Sequence, residues 1–330
     1  MISFLIIRFS SIGDIVLTTP IVRILKTQVG DSVIHYLTKE QYAPILESNP
    51  YIDHLHLYSG NLNEFIRQLK AEPVDYIIDL HHNIRSAIVK NRLGTVSFVV
   101  NKINFRKWLL VHLKIDRMPG THIVDRYLKT IELFDVKDDG RGLDYFIPPA
   151  EEVDIAALGD VFNQGYIALA IGARHNTKKL PREKLVELAG LIEHPIIIVG
   201  GPEDREVGEF ICSASPSKAI FNASGGFSVN QSASIIRQSR LVITHDTGMM
   251  HIAAAFKKKI LSVWGNTVPA FGMAPYRADR DSVIFEVKGL RCRPCSKIGY
   301  RTCPRKHFRC MNEQDIPGIA DKANHLFTGQ

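Results

Sequence analysis

A strand-then-helix pattern that runs along this chain twice limits what it can fold into more than any other feature. In the first half, short apolar runs at Ser3–Phe9, Ser32–Leu37, Tyr51–Tyr58, Val74–Leu80 and Val96–Val100 read as strands. Helical patterns at Gly13–Gln28, Lys39–Glu47, Asn61–Lys70 and Ile84–Leu93 separate them, and amphipathic stretches follow at Phe105–Leu113 and His122–Phe134. The second half repeats the scheme. Its strands read at Tyr166–Ile171, Pro195–Val199, Ala219–Asn222, Leu241–Thr244 and Lys259–Trp264, and its helices at Arg182–Glu193, Glu203–Ser213, Val229–Gln238 and Gly248–Phe256. Such alternation builds parallel sheets with helices on both faces, an α/β architecture. In these sheets ligands bind beyond the carboxyl ends of the strands.

The 330 residues exceed what one hydrophobic core sustains, so two domains are expected. The charged, glycine-containing stretch Val136–Pro149 marks their boundary, giving two Rossmann-like domains at 1–147 and 148–330. No run approaches the roughly 18 apolar residues of a membrane span. Met1–Phe9 carries Arg8 and has no basic segment ahead of it, which suits a buried first strand and not a signal peptide. The expectation is a cytoplasmic protein, peripheral at most on the inner-membrane surface.

Basic residues exceed acidic ones by 41 to 34, a net charge of +7. The excess is local. Residues 287–312 hold Lys288, Arg291, Arg293, Lys297, Arg301, Arg305, Lys306 and Arg309 and no acid; without these eight the chain nets about −1. The same segment carries Cys292, Cys295, Cys303 and Cys310, four of the five cysteines. One Cys-x2-Cys pair is a zinc half-site, but the second pair is irregularly spaced, so structural zinc and free or bonded thiols both stand.

Five motifs follow strands. Arg8-Phe9-Ser10-Ser11-Ile12-Gly13-Asp14 opens the first helix, and Asp14 suits either a stabilising first-turn acid or a general base. In Asp79 through Ser86, Asn83 can cap a helix and Arg85 can meet an anion; the histidine pair has no evident metal partners. In Gly172 through Pro181, Lys178 can neutralise a diphosphate. Gly200-Gly201-Pro202-Glu203-Asp204 starts a helix, and Glu203 is placed to meet ribose hydroxyls. Thr244 through Ala255 is the strongest: exposed N–H groups at Thr247–Met250, Gly248 and Met249 among them, form an anion site at the helix start, Asp246 can accept from a sugar, and His251, a turn further on, can face phosphates or simply pack.

Ser10 through Asp14 with Leu17-Thr18-Thr19-Pro20, together with Asp246-Thr247-Gly248 and His251, resembles glycosyltransferase family 9, the lipopolysaccharide heptosyltransferases. The resemblance covers nearly the whole chain in motif order. It implies a GT-B fold, two Rossmann-like domains facing across a cleft, and inverting transfer that needs no metal cofactor. It implies ADP-heptose as donor and a lipopolysaccharide core, an anionic glycolipid, as acceptor. Carried over by position, Asp14 is the base. Lys178 and the Gly248–Met249 backbone hold the diphosphate, with Thr247 and His251 nearby, and Asp246 meets the donor sugar. Ser11, Gly13, Arg85 and Arg126 fall on the acceptor side. Two positions depart from the family pattern: Val268 stands where an acid is usual, and Leu180 where tryptophan is usual. Two other readings remain. One is a nonhydrolysing sugar-nucleotide epimerase of the same architecture. The other is nucleic-acid binding through the basic four-cysteine segment, which leaves both sets of loops unexplained, so no nucleic-acid partner is expected.

Overall fold

The structure is a computed structural model that describes residues 1–72 and 74–329. The chain divides into two compact units, Met1–Ile103 with Thr121–Phe146, and Asn104–Gly120 with Ile147–Gln330. Residues 104–120 thus cluster with the second unit although they lie inside the first half of the sequence.

In unit 1, β1 (Ile2–Ile7) leads into α1 (Ile12–Val16) and α2 (Thr19–Gln28), then β2 (Ser32–Lys39), β3 (His54–Tyr58), α3 (Leu62–Ala71), β4 (Tyr76–Asp79), α4 (Ile84–Leu93) and β5 (Val96–Val99). The sheet order is β3-β2-β1-β4-β5, and every pair is parallel. Chain order reverses between β1 and β4, the switch point where such sheets bind ligands. The single helix expected at Gly13–Gln28 is two helices. Pro20 has no N–H to give the Val16 carbonyl, so the ladder stops. The Thr19 hydroxyl donates to that carbonyl instead at 2.8 Å, and Pro20 falls in the first turn of α2, where proline is tolerated.

The charged stretch after α6 (Ile123–Leu128) is no free linker. The fully buried Arg23 of α2 pairs with Asp139 at 2.7 Å and with Asp144, and donates to the Gly142 carbonyl at 2.9 Å. Two acids of the boundary stretch are thus the partners of a buried guanidinium.

In unit 2, α5 (Asn104–Trp108) runs into a π-helical turn at Leu109–Leu113. Lys107 lies over the Phe271 ring at 5.8 Å, and Lys114 donates to the Pro294 carbonyl at 2.6 Å, which explains why this segment joins unit 2. The Rossmann-like series follows: β6 (Ile167–Ala170), α7 (Arg182–Leu191), β7 (Ile196–Val199), α8 (Arg205–Ala214), β8 (Ile220–Asn222), α9 (Val229–Gln238), β9 (Leu241–His245), α10 (Gly248–Ala255), β10 (Lys259–Trp264), β11 (Val283–Glu286), α11 (Arg309–Asn312) and α12 (Ile316–Thr328). The parallel order β11-β10-β9-β6-β7-β8 puts its switch point between β6 and β9. Strands β6, β7 and β9 are buried throughout, as expected where helices cover both faces.

The strand–helix pattern marks no element past Trp264 other than the cysteine segment, and the structure adds β11 and α12. Pro317-Gly318 reads as a helix breaker, yet it occupies the first turn of α12, where Asp315 accepts from the Gly318 N–H at 3.0 Å. Ile319, Ala323 and Leu326 then pack into the unit 2 core.

Candidate active site

In unit 1 the loops after β1 and β4 flank the switch point. Asp14 sits at the third position of α1. Its Oδ2 accepts from the Ser11 hydroxyl at 2.9 Å and the Ser11 N–H at 3.3 Å, and its Oδ1 meets the Arg8 guanidinium at 2.7 Å. Arg8 is buried and also donates to the carbonyls of Leu80 (2.6 Å) and Ser10 (2.8 Å) and to the Tyr127 hydroxyl (3.0 Å). Burial works against its charge; Asp14, Tyr127 and Tyr36 outweigh burial and raise its pKa. The sequence placed Arg8 in one motif with Asp14 but gave it no role; the structure makes it the group that aims Asp14. Gly13 is buried inside α1.

Asp79 organises the second loop. Fully buried, it accepts from the N–H groups of His81 (3.0 Å) and His82 (2.7 Å) and the Ser86 hydroxyl (2.8 Å), and pairs with Lys90 at 2.9 Å. Burial pushes its pKa up, but the His82 N–H, Lys90 and Ser86 prevail and hold it below the usual carboxylate value. Asn83 caps α4 through the Ser86 N–H at 2.9 Å. His81 stands edge-on to Phe9 at 5.3 Å and is pushed down to about 3 by burial and the charges of Arg8 and Lys102. Arg85 packs over Phe9 and Tyr58, at 5.4 and 5.0 Å from the ring centroids. Arg126 is only 5% exposed, with Nη1 3.4 Å from the Asn101 carbonyl, so Arg85 is the more accessible of the two arginines.

In unit 2 the loops after β6 and β9 meet in an ion pair. Lys178 Nζ lies 2.6 Å from Asp246 Oδ2 and 3.2 Å from the Asp246 carbonyl. The Thr267 hydroxyl, in the turn after β10, donates to the same Oδ2 at 2.8 Å. Asp246 is 8% exposed. Thr247 caps α10 in extended conformation without a side-chain hydrogen bond to the helix backbone, so the first N–H groups of the helix are not spent on their own cap. Thr247, Gly248 and Met249 are half-buried, while His251 is buried. Glu203 is exposed on a 3-10 turn at Pro202–Asp204, and no hydrogen bond or ion pair among the described residues joins it to Lys178 or Asp246. Its neighbour Asp204 turns inward instead and pairs with Lys179 at 2.6 Å.

Asn266, like Arg8 and Thr267, was given no role from sequence. It is buried, and both polar atoms of its side chain lack a partner among the described residues. Gly265 before it has no room for a side chain: a Cβ there would fall 2.6 Å from the Thr177 carbonyl. The signal was present in the small, polar turn Gly265-Asn266-Thr267 at the end of a strand, but only the fold brings that turn to Lys178.

The cysteine segment braces these loops and is no separate module. Arg293 donates to the carbonyls of Gly265 (2.6 Å) and Thr267 (2.8 Å) and pairs with Glu286 at 2.7 Å. Thr177 accepts the Tyr300 N–H at 2.8 Å. Arg293 therefore leaves the basic surface that the sequence suggests; it is a buried clamp. Cys292, Cys295, Cys303 and Cys310 are free thiols that line one small cavity together with His307. Cys292 Sγ lies 3.8 Å from His307 Nε2, and burial, ahead of the other cysteines, pushes Cys310 up to about 12. No three of the four sulfurs stand within 4.8 Å of one another, wider than the spacing of about 3.8 Å that tetrahedral Zn–S bonds require. An open pocket of about 850 Å³ adjoins them, lined by Lys114, Lys288, Arg291, Arg305 and Arg309 among others.

Residues 62–303 match the profile of glycosyltransferase family 9 (heptosyltransferase), and the chain belongs to that family. It is 25% identical over 283 residues to lipopolysaccharide heptosyltransferase 3 of Escherichia coli K12, covering 78% of this chain and 81% of that protein. Among solved structures, a family 9 glycosyltransferase from Veillonella parvula superposes with a TM-score of 0.78 at 21% identity, covering 99% of this chain and 98% of that one. E. coli ADP-heptose lps heptosyltransferase II superposes with a TM-score of 0.74 at 18% identity over 99% of both chains. The fold is thus of the GT-B class, built of two Rossmann-like units, and the family's activity is glycosyl transfer.

Proposed function

We propose that this chain transfers a heptose, or a closely related sugar, from an ADP-sugar to a lipopolysaccharide core or similar anionic glycan, with inversion and without a catalytic metal. The observation that carries the reading is the Lys178–Asp246 pair beside the head of α10. A fixed ammonium and unspent helix N–H groups at a switch point are what a departing diphosphate requires. Lys178 has three donors; two serve Asp246, and the third is left for a phosphate oxygen. Asp246, steadied by Thr267, accepts from the sugar. Asp14, aimed by Arg8 and Ser11, takes the acceptor hydroxyl proton as that oxygen bonds to the anomeric carbon. The bond from that carbon to the diphosphate breaks, and its electron pair leaves with ADP. Arg85 meets an acidic group of the acceptor.

The donor is supported by the name of the E. coli structural relative, an ADP-heptose enzyme. The test is incubation with ADP-heptose and a heptose-deficient core acceptor. A glycosylated product with equal ADP release is expected; sugar-nucleotide conversion without acceptor would show an epimerase instead.

The four cysteines are a donor set that a structural zinc takes, although the sulfurs must close in to hold it. Elemental analysis of reduced, chelator-free protein tests this: zinc that is lost in Cys295→Ser supports it, and zinc-free protein refutes it.

Among the described residues no helix is long and apolar enough to cross a membrane. Contact with an anionic membrane surface is supported by exposed Phe105, Trp108, Leu113 and Ile115 interleaved with Arg106, Lys107, Lys114 and Arg117. Lys114 joins this stretch to the basic segment by its bond to the Pro294 carbonyl.

A further inference from the structure

Away from the loops after β1 and β4, unit 1 brings three ligating side chains together. His35 lies on β2, His56 on β3, and Glu72 caps the end of α3. In the parallel register His35 stands opposite His54, and Leu37 opposite His56, so all four share the sheet face that Phe65, Ile66 and Leu69 of α3 cover. Two imidazoles therefore sit at the margin of an otherwise apolar core.

His35 Nδ1 and His56 Nε2 are 2.9 Å apart, and Glu72 Oε2 lies 3.6 Å from the first and 3.8 Å from the second. Among the described residues this is the single trio of histidine, cysteine or acidic ligand atoms that lie so close together. A proton shared between the imidazoles accounts for one of the three separations. The two carboxylate distances are too long for hydrogen bonds. The three separations together define a circle with a radius of about 2.0 Å, which is the length of a zinc bond to imidazole nitrogen or carboxylate oxygen. One point thus lies at bonding distance from all three atoms.

We infer that His35, His56 and Glu72 bind a divalent transition-metal ion of the zinc type, which clips the edge strand β3 and the end of α3 to β2. The surroundings suit it. Both rings are largely withdrawn from water, their side chains 7% and 13% exposed. His54 stacks on His35 at 4.6 Å, covering that ring without joining the trio. Asp53, the other nearby acid, is committed to Lys26 at 2.7 Å. The Glu72 side chain is 49% exposed, so water completes the coordination from the solvent side. The site is independent of the four cysteines and takes no part in the proposed transfer.

The test is equilibrium dialysis of the metal-stripped full chain against micromolar zinc chloride, followed by elemental analysis. Wild type is expected to retain one more equivalent of zinc than either Glu72→Gln or His56→Ala; whatever the cysteines hold is common to all three. Glu72→Gln replaces a half-exposed side chain, so its fold is preserved even if the buried His56 tolerates change poorly. Repeated with cobalt, the wild-type-minus-variant spectrum is expected to show visible ligand-field bands without sulfur-to-metal charge transfer. Equal zinc in wild type and Glu72→Gln, or a sulfur charge-transfer band in that difference spectrum, overturns the inference.

Discussion

Lys178 Nζ sits 2.6 Å from Asp246 Oδ2, joining the loop after β6 to the loop after β9 across the switch point of unit 2. In the proposed reaction the pair preorganises a cation where negative charge would develop on a leaving diphosphate. Lys178→Ala is expected to lower kcat by roughly 10²–10³-fold, the usual effect of removing one such donor. It also leaves a buried carboxylate without its partner, which costs about 1–3 kcal/mol in a urea melt. Unchanged turnover in a folded variant would take Lys178 out of the mechanism.

Asp14 is aimed by Arg8 and Ser11, and in the proposed reaction it is the base that takes the acceptor hydroxyl proton. Asp14→Asn is expected to lose about 10²–10⁴-fold in turnover while ADP binding changes little. Arg8→Met is expected to impair turnover as well, because the carboxylate is then unaimed. Steady-state kinetics with parallel ADP titrations separate the two effects, and near-wild-type turnover of Asp14→Asn contradicts the assignment.

Asp79 links acid stability to the loop that carries Arg85. Its folded pKa lies below the unfolded value, so its contribution is complete above about pH 4. It is lost as pH falls through the depressed folded value. Thermal melts should therefore show Asp79→Asn well below wild type at pH 7, with the gap closing below about pH 4. A gap that stays constant across that range would remove the carboxylate's charge from the explanation.

How much of this was readable in sequence depends on what each residue's neighbours are. The strands were legible because parallel strands buried on both faces leave continuous apolar runs, as Ile167–Ala170 and Ile196–Val199 do. The loops were legible because they follow those strands. Val136–Pro149 showed a boundary but not its anchor: Asp139 and Asp144 pair with Arg23, over a hundred residues earlier, a contact no local pattern encodes. Arg293 misled, since a cation that clamps the Gly265 and Thr267 carbonyls is indistinguishable in sequence from a surface charge. Arg8, Thr267 and Asn266 stayed hidden because their importance comes only from non-local contact with Asp14, Asp246 and the Thr177 loop.

The exposed Phe105 and Trp108 stack at 6.4 Å and stand among basic residues, which suits insertion at an anionic lipid surface. Cosedimentation with phosphatidylglycerol-containing vesicles is expected for wild type, weakened by salt and by the Phe105→Ser/Trp108→Ser double variant. Equal binding by the double variant would leave charge alone as the cause, and no binding by wild type would remove the membrane contact.

The proposed function requires unit 2 to hold an adenosine diphosphate sugar at Lys178, Asp246 and the head of α10. Calorimetric titration with ADP and UDP tests it most directly. ADP is expected to bind wild type at least about tenfold more tightly than UDP, and Lys178→Ala is expected to lose about tenfold or more in ADP affinity, which corresponds to about 1.4 kcal/mol. Equal affinity for ADP and UDP, or an ADP affinity unchanged in Lys178→Ala, would contradict it.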